Sequence, residues 1–270
     1  MELVVIGIDA HGGSLAALDW VGERMRRVGG RVDIVLAAPD FNEDRSAGER
    51  VLEEAEERLR TQVPGPVVET HYVDDDPSVA LRDAALAADL IVLGFDENGF
   101  AHFHHRLADR LLSRGRTPVC LVPSHWVADG DEVVVGVGPD QSSHAALVFA
   151  AREADRASQA LRLVHAWRPP GFLEGAVWAS DPEEAKQEHL NVARNAEAEV
   201  RAAHPHVAVT VSTPRAHVAD ALIDQVTGAS LLVLGTHRGS AFSIPSRGSV
   251  AHAVLGRIAV PLCIVPSADL

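Results

Sequence analysis

Residues 231–250, LLVLGTHRGSAFSIPSRGSV, carry the pattern that decides the fold of the chain. The apolar run at the start predicts a buried strand, glycines follow at Gly235, Gly239 and Gly248, and a helix is predicted to begin at Ser249. Glycine lets the backbone approach a ligand closely, and the unpaired N–H groups of a helix N-terminus favour an anion. The stretch therefore predicts a phosphate-binding loop between a strand and a helix.

The chain contains the same series of sequence blocks twice. The matched blocks are 2–18 with 131–147, 88–94 with 229–235, and 117–123 with 260–266. Three matches in the same order indicate a tandem duplication. A short polar stretch at 124–130 separates the copies, so we expect two domains, 1–125 and 131–270.

Predicted strands and helices alternate within each copy. The predicted strands are 3–8, 32–37, 67–73, 90–94, 119–122, 133–137, 161–166, 207–212, 231–235 and 262–265. The predicted helices start near 14 and 143 or span 49–62, 76–87, 107–113, 183–203, 218–227 and 249–257. Continuously apolar strands are typical of sheets covered by helices on both faces. The fold class is therefore α/β, with two tandem doubly wound sandwiches of five parallel strands each.

Composition limits the classes of function. The chain has 270 residues, is 47% hydrophobic and carries a formal net charge of -14. An acidic protein is a poor general ligand for nucleic acid or anionic membranes, so neither is an expected partner. No apolar run approaches the ~20 residues that span a bilayer, and the first residues lack the basic region of a signal peptide. We therefore expect a cytoplasmic protein.

Two cysteines, Cys120 and Cys263, each lie in a short apolar run. Two thiols are too few for a disulfide framework, which favours a reduced compartment. Their apolar neighbours predict buried thiols that do not react in the native protein. His102, His104 and His105 fall in a predicted loop with spacing that is poor for zinc, so we expect no metal site there.

The duplicated blocks and the late glycine loop resemble the universal stress protein family, and the resemblance covers both halves. ATP-binding members of that family carry a G-x2-G-x9-G-[ST] loop, whose outer positions match Gly235 and Gly248 with Ser249. Arg238 stands where the middle glycine belongs, and Gly239 follows it. The resemblance implies that the loop holds the phosphates of ATP or AMP, with Mg²⁺.

The same resemblance assigns individual roles around the loop. Ser249 and Val250 would contact phosphate together with the outer glycines, and Arg238 would add a positive charge. Ala166, at the end of the second strand of its half, would lie near adenine. The family's aspartate after the first strand aligns with Gly138, and Asp140 is the candidate substitute.

The first half has the opposite departures from the family pattern. Asp9 occupies the position of the family aspartate, where we interpret it as a cap of the turn into the first helix. The late loop has no Gly-Ser or Gly-Thr at the required spacing, and Asp96 and Glu97 would repel phosphate. We therefore expect nucleotide only in the second half.

No catalytic motif is present: the chain has no G-x-S-x-G elbow, no P-loop lysine, no HExxH and no CxxC. We expect a sensor or modulator of a stress response, not an enzyme, in which bound nucleotide sets the conformation of a partner-binding surface. One alternative is a nucleotide-independent module for dimerisation or partner binding. Another is a weak nucleotide hydrolase that uses Asp140.

The resemblance also implies how the two halves associate. Their last strands, 119–122 and 262–265, would pair or pack across a pseudo-twofold axis, which makes an internal pseudo-dimer. Such pairing also protects edge strands from open association. For partners outside the chain, the alternatives are a homodimer and unidentified proteins.

Overall fold

Strands alternate with helices throughout the part of the chain that the computed structural model describes, which is residues 1–9, 15–38, 45–63, 65, 67–95, 101–139, 141–168, 182–236 and 250–267. The first half contains β1 (Leu3–Ile8), α1 (Leu15–Val28), β2 (Arg31–Ala37), α2 (Arg45–Gln62), β3 (Val67–Val73), α3 (Pro77–Ala84), β4 (Leu90–Phe95), α4 (Ala101–Arg114) and β5 (Val119–Pro123). The second contains β6 (Glu132–Gly136), α5 (Gln141–Ala157), β7 (Ala160–Val164), α6 (Pro182–Ala203), β8 (Val209–Ser212), α7 (Val218–Gln225), β9 (Ala229–Thr236), α8 (Val250–Val254) and β10 (Leu262–Pro266).

The ten strands form one sheet in the order β3-β2-β1-β4-β5-β10-β9-β6-β7-β8. Among the described residues, every strand pair within a half is parallel, and the one antiparallel pair, β5 with β10, joins the halves. Cys120 lies opposite Cys263 in that pair. The predicted fold class and the predicted pairing of the last strands are therefore confirmed, with each five-stranded parallel sheet continuing into the other.

Two apolar layers cover the faces of this sheet, and each layer crosses from one half to the other. One contains residues of α1, α2, α5 and α6, including Leu18 and Ala150. The other contains residues of α3, α4, α7 and α8, including Leu111 and Val254. The continuous burial of the central strands follows from this coverage on both faces. No helix in the described ranges is long and apolar enough to cross a bilayer.

Several predicted boundaries are wrong by a few residues. Strand β7 ends two residues before Ala166, and helix α5 begins two residues before Ser143. Helix α4 begins at Ala101, so His102, His104 and His105 lie in a helix and not in a loop; their side chains lie outside the described part. Helix ends depend on a few capping contacts, so periodicity alone locates them poorly.

The predicted start of the third helix agrees with the structure, because Asp76 and Pro77 are residues that favour a helix N-terminus. Asp76 is the N-cap of α3, and its carboxylate accepts a hydrogen bond from the Ser78 N–H at 2.8 Å. Pro77 occupies the first helical turn, where its missing N–H has no cost. The predicted end of the third strand and start of the third helix are therefore confirmed.

A buried ion-pair network also joins the halves. Arg24 of α1 and Glu153 of α5 are 129 positions apart, the same separation as Gly7 and its counterpart Gly136. The duplication has therefore placed opposite charges at equivalent positions, and the two side chains form a salt bridge. Glu2, which precedes β1, binds the same guanidinium at 2.7 Å.

Candidate functional site

The carboxyl ends of β6, β7 and β9 lie side by side and form the candidate site. Strand β6 pairs with β7 on one side and with β9 on the other. The chain moves outward from β6 through β7 to β8, and then crosses to β9 and β10. The strand order therefore reverses between β6 and β9, which is where open α/β sheets bind ligands.

The end of β6 is held by two hydrogen bonds that its backbone N–H groups donate, one to a carbonyl and one to a side chain. The Val137 N–H donates to the Val164 carbonyl at 2.9 Å, so the ends of β6 and β7 stay together. The Gly138 N–H donates to Ser143 Oγ at 2.8 Å. Because α5 begins at Gln141, Ser143 lies within its first turn and fastens the loop before it. Gly138 thus lies just after β6, at the carboxyl edge of the sheet where the sequence placed it. Asp140 lies outside the described residues.

The end of β9 is held by its neighbour β10. Thr236 is 7% exposed, and its carbonyl accepts a hydrogen bond from the Ser267 N–H at 2.9 Å. Gly235 lies opposite Val265 in the β9–β10 ladder, and Val250 begins α8. The loop between them, 237–249, lies outside the described part and contains Arg238, Gly239, Gly248 and Ser249. Their predicted phosphate contacts stay predictions.

Just beyond the end of β7, the side chains of His165 and Trp167 contact His189 of α6, and the three form a cluster. Ala166 lies between His165 and Trp167 in the sequence. His165 is 3% exposed; its Nδ1 lies 2.8 Å from the Val137 carbonyl oxygen and its Nε2 lies 2.9 Å from His189 Nδ1. The Trp167 ring stacks on His189 with centroids 4.9 Å apart. The Arg215 guanidinium lies 5.8 Å from the Trp167 centroid.

Chemistry fixes the protons of this cluster in its neutral state. A carbonyl oxygen can only accept, so His165 Nδ1 carries the hydrogen and its Nε2 accepts one from His189 Nδ1. Burial lowers the pKa of His189, the nearby His165 lowers it further, and Glu188 acts in the opposite direction. The lowered pKa of His189 therefore favours its neutral imidazole.

Sequence reasoning missed this cluster. It expected His165 to be either buried or solvated at the surface, and the structure confirms a buried histidine; it named no partner for His165 and gave His189 no role. The repeat offers a signal that could have found it: Gly7 pairs with Val35 and its counterpart Gly136 pairs with Val164, so Leu36 and His165 are equivalent. An imidazole where the duplicate has leucine indicates a requirement beyond packing.

A second group of candidate ligands lies at β2 and β3. One ligand atom each from Asp33, Glu69 and His71 falls within 4.8 Å of the others. Arg31 already binds both carboxylates, at 2.7 Å to Asp33 and 2.8 Å to Glu69. The guanidinium therefore offsets part of the negative charge that would attract a metal ion and occupies the same carboxylate oxygens.

Comparison with known proteins adds the family. A family model described as the universal stress protein family matches residues 1–123 and, a second time, residues 131–266. The chain belongs to the universal stress protein family. It is a tandem member, because one family domain follows another in the same chain.

Solved structures agree on the fold of this tandem universal stress protein. A universal stress protein from Archaeoglobus fulgidus DSM 4304 is 16% identical, with 98% of each chain covered and a TM-score of 0.72. A functionally unknown protein from Pseudomonas aeruginosa PAO1 is 15% identical, with 100% of this chain and 94% of that chain covered and a TM-score of 0.63. At such low identity the likeness shows the fold alone.

Proposed function

We propose that the protein binds an adenine nucleotide, ATP or AMP with Mg²⁺, at the carboxyl edge of β6, β7 and β9. The observation that carries the proposal is the switch in strand order between β6 and β9. Small residues lie within two positions of the strand ends there: Gly138, Ala166 and Gly235. Small residues leave room for a ligand to approach the backbone. The motif spacing of Gly235, Gly248 and Ser249 supports phosphate as its anionic part.

The proposed role is a sensor or modulator in the stress response. Bound nucleotide would favour one conformation of the loops at the sheet edge, and a partner would recognise that conformation. The acidic charge of -14 supports a protein partner over nucleic acid or membrane. We propose a cytoplasmic location on the same grounds and on the apolar setting of both cysteines.

We expect Gly248→Glu to weaken ATP and AMP binding at least ~100-fold, because the added carboxylate would repel phosphate in the loop. The measurement is calorimetric titration of each nucleotide, with Mg²⁺, into the intact protein. Leu86→Glu is the matched control, since Leu86 is 85% exposed and lies in the first half. Saturable binding at one site per chain, lost only in Gly248→Glu, is the expected result.

Absence of heat with both nucleotides would reject this proposal in favour of the nucleotide-independent module. One observation favours that second candidate. The β5–β10 pair and the Arg24–Glu153 salt bridge join the two halves through strand pairing and buried side chains, so this fold already serves association of two family domains within the chain. Under that candidate the protein acts only by binding partners or by forming a homodimer.

We further propose binding without catalysis. Asp140 is the carboxylate that a weak hydrolase would use beside the γ-phosphate, and the chain has no other motif for turnover. Asp140→Asn should therefore leave phosphate release from ATP at the wild-type rate. A fall of tenfold or more in that rate, with ATP affinity unchanged, would support the hydrolase alternative.

A further inference from the structure

The two halves fill one equivalent position in chemically different ways. In the first half, Leu36 packs against the helix above it, where a Cβ added to Gly48 would lie 3.0 Å from Leu36 Cδ2. In the second half, His165 takes the place of Leu36 and hydrogen-bonds to His189. Burying the His165 imidazole, which is 3% exposed, costs desolvation that an apolar contact avoids. Packing alone therefore gives no reason for the histidine pair.

The histidine pair can accept one proton without losing its internal hydrogen bond. Both nitrogens of His165 are engaged, and His189 Nδ1 is engaged as a donor, so within the described part of the chain the remaining lone pair is on His189 Nε2. A proton added there leaves the 2.9 Å contact intact. A second proton would place N–H groups on both sides of that contact and break it. The pair is therefore a one-proton unit.

Charged groups around His189 favour its neutral form when no ligand is bound. Among the described residues, His165 at the end of β7 opposes a proton on His189, while Glu188 of α6 favours one. Arg215, between β8 and α7, contacts the Trp167 ring on which His189 stacks. Burial adds to the preference for the neutral form. An anion bound at this edge would act in the opposite direction.

We propose that the His165–His189 pair is a one-proton switch that makes nucleotide binding in the second half pH-dependent, with the anionic ligand bound more tightly once the pair is protonated. The inference rests on the proposed nucleotide site. Thermodynamic linkage requires the coupling to be reciprocal, so bound nucleotide also promotes proton uptake. The first half, with Leu36 in the equivalent place, has no such switch at this position.

The test is titration of ATP, with Mg²⁺, between about pH 7.5 and about pH 5.5, in wild type and in His189→Gln. Glutamine can still donate to His165 Nε2 but does not titrate. Binding in wild type should strengthen relative to the variant by up to ~10-fold per pH unit, the limit for one linked proton. The γ-phosphate also titrates near about pH 6 in both proteins. The difference in pH dependence of ATP affinity between wild type and His189→Gln therefore measures the contribution of the histidine pair.

His71→Gln is the matched control, because His71 lies on β3 of the first half with a side chain 42% exposed. It should follow the wild-type pH dependence. Equal pH dependence in wild type and His189→Gln, with both binding ATP, would overturn the switch and leave the nucleotide site standing. ATP binding absent at every pH would instead reject the nucleotide site.

The pair itself can be tested without nucleotide. Long-range ¹H–¹⁵N correlation spectra of the intact protein should show a hydrogen on Nδ1 of both rings at neutral pH. They should also show His189 taking up its proton below the pKa of a solvated histidine. Two rings that titrate independently near the ordinary pKa would overturn the inference, whatever the nucleotide result.

Discussion

Replacing Arg24 by alanine should lower the free energy of unfolding by about 3–5 kcal/mol, because two buried carboxylates would lose their counter-charge. The Arg24 side chain is 6% exposed, and those of Glu2 and Glu153 are 5% and 7% exposed. Arg24 Nη2 lies 2.7 Å from Glu2 Oε1 and 2.9 Å from Glu153 Oε1. Removing one member of a buried pair costs more than the pair contributes, since the remaining charge stays desolvated.

The pKa of Arg24 also reflects the competition between burial and its two carboxylate partners. Burial acts to lower its pKa, but the hydrogen bonds and charges of Glu153 and Glu2 more than offset burial, and the pKa is raised. Arg156 adds a contact of 3.1 Å to Glu2. Its side chain is exposed, and it closes the network on the side of the second half. The network therefore couples the start of β1, α1 and α5 into one unit.

Urea unfolding followed by circular dichroism measures this effect. Arg257→Ala is the matched control, because its ion pair with Asp220 is more than half exposed on both sides. Exposed pairs contribute less than about 1 kcal/mol, so this variant should unfold close to wild type. Similar losses in Arg24→Ala and Arg257→Ala would contradict the assignment of a buried inter-half network.

The strands and helices could be predicted from sequence because the internal repeat and the apolar runs are local patterns that indicate where each element lies. Strand β1 was predicted with the observed bounds, and so was β3. Contacts between elements distant in sequence carry no such local signal. The Arg24–Glu153 bridge exists because the pseudo-twofold axis brings α1 and α5 together, and block alignment alone does not specify that contact.

In the candidate site too, local positions could be predicted from sequence, whereas a contact between distant elements could not. Spacing in the sequence indicated the glycines of the late loop, and the resemblance to the universal stress protein family implied the edge positions Gly138 and Ala166. The strand order agrees with that choice of edge. The His165–His189 contact depends on how α6 is rotated over β7. That rotation follows from burial of residues such as Ala193 and Val200, not from the histidines. Sequence periodicity could not reveal the contact.

Cys120 and Cys263 should react with a thiol reagent at least about 10⁴-fold more slowly in the native protein than in the unfolded chain. They are 0% and 1% exposed and lie opposite each other in the β5–β10 pair at the centre of the sheet. Burial raises the pKa of both thiols, and only the thiolate is nucleophilic. Labelling therefore requires the central strands to open.

Absorbance with an aromatic disulfide reagent, in buffer and in urea, measures the two rates. Ser124→Cys is the control, because Ser124 is exposed just after β5 and its thiol should react at the rate of a free cysteine. Native cysteines that react as fast as that control would contradict the burial. If labelling proceeds through opening of the joined sheet, Arg24→Ala must also accelerate it, by about 10²- to 5 × 10³-fold for a loss of about 3–5 kcal/mol. Acceleration of that size would show that the ion-pair network and the β5–β10 junction open as one cooperative unit.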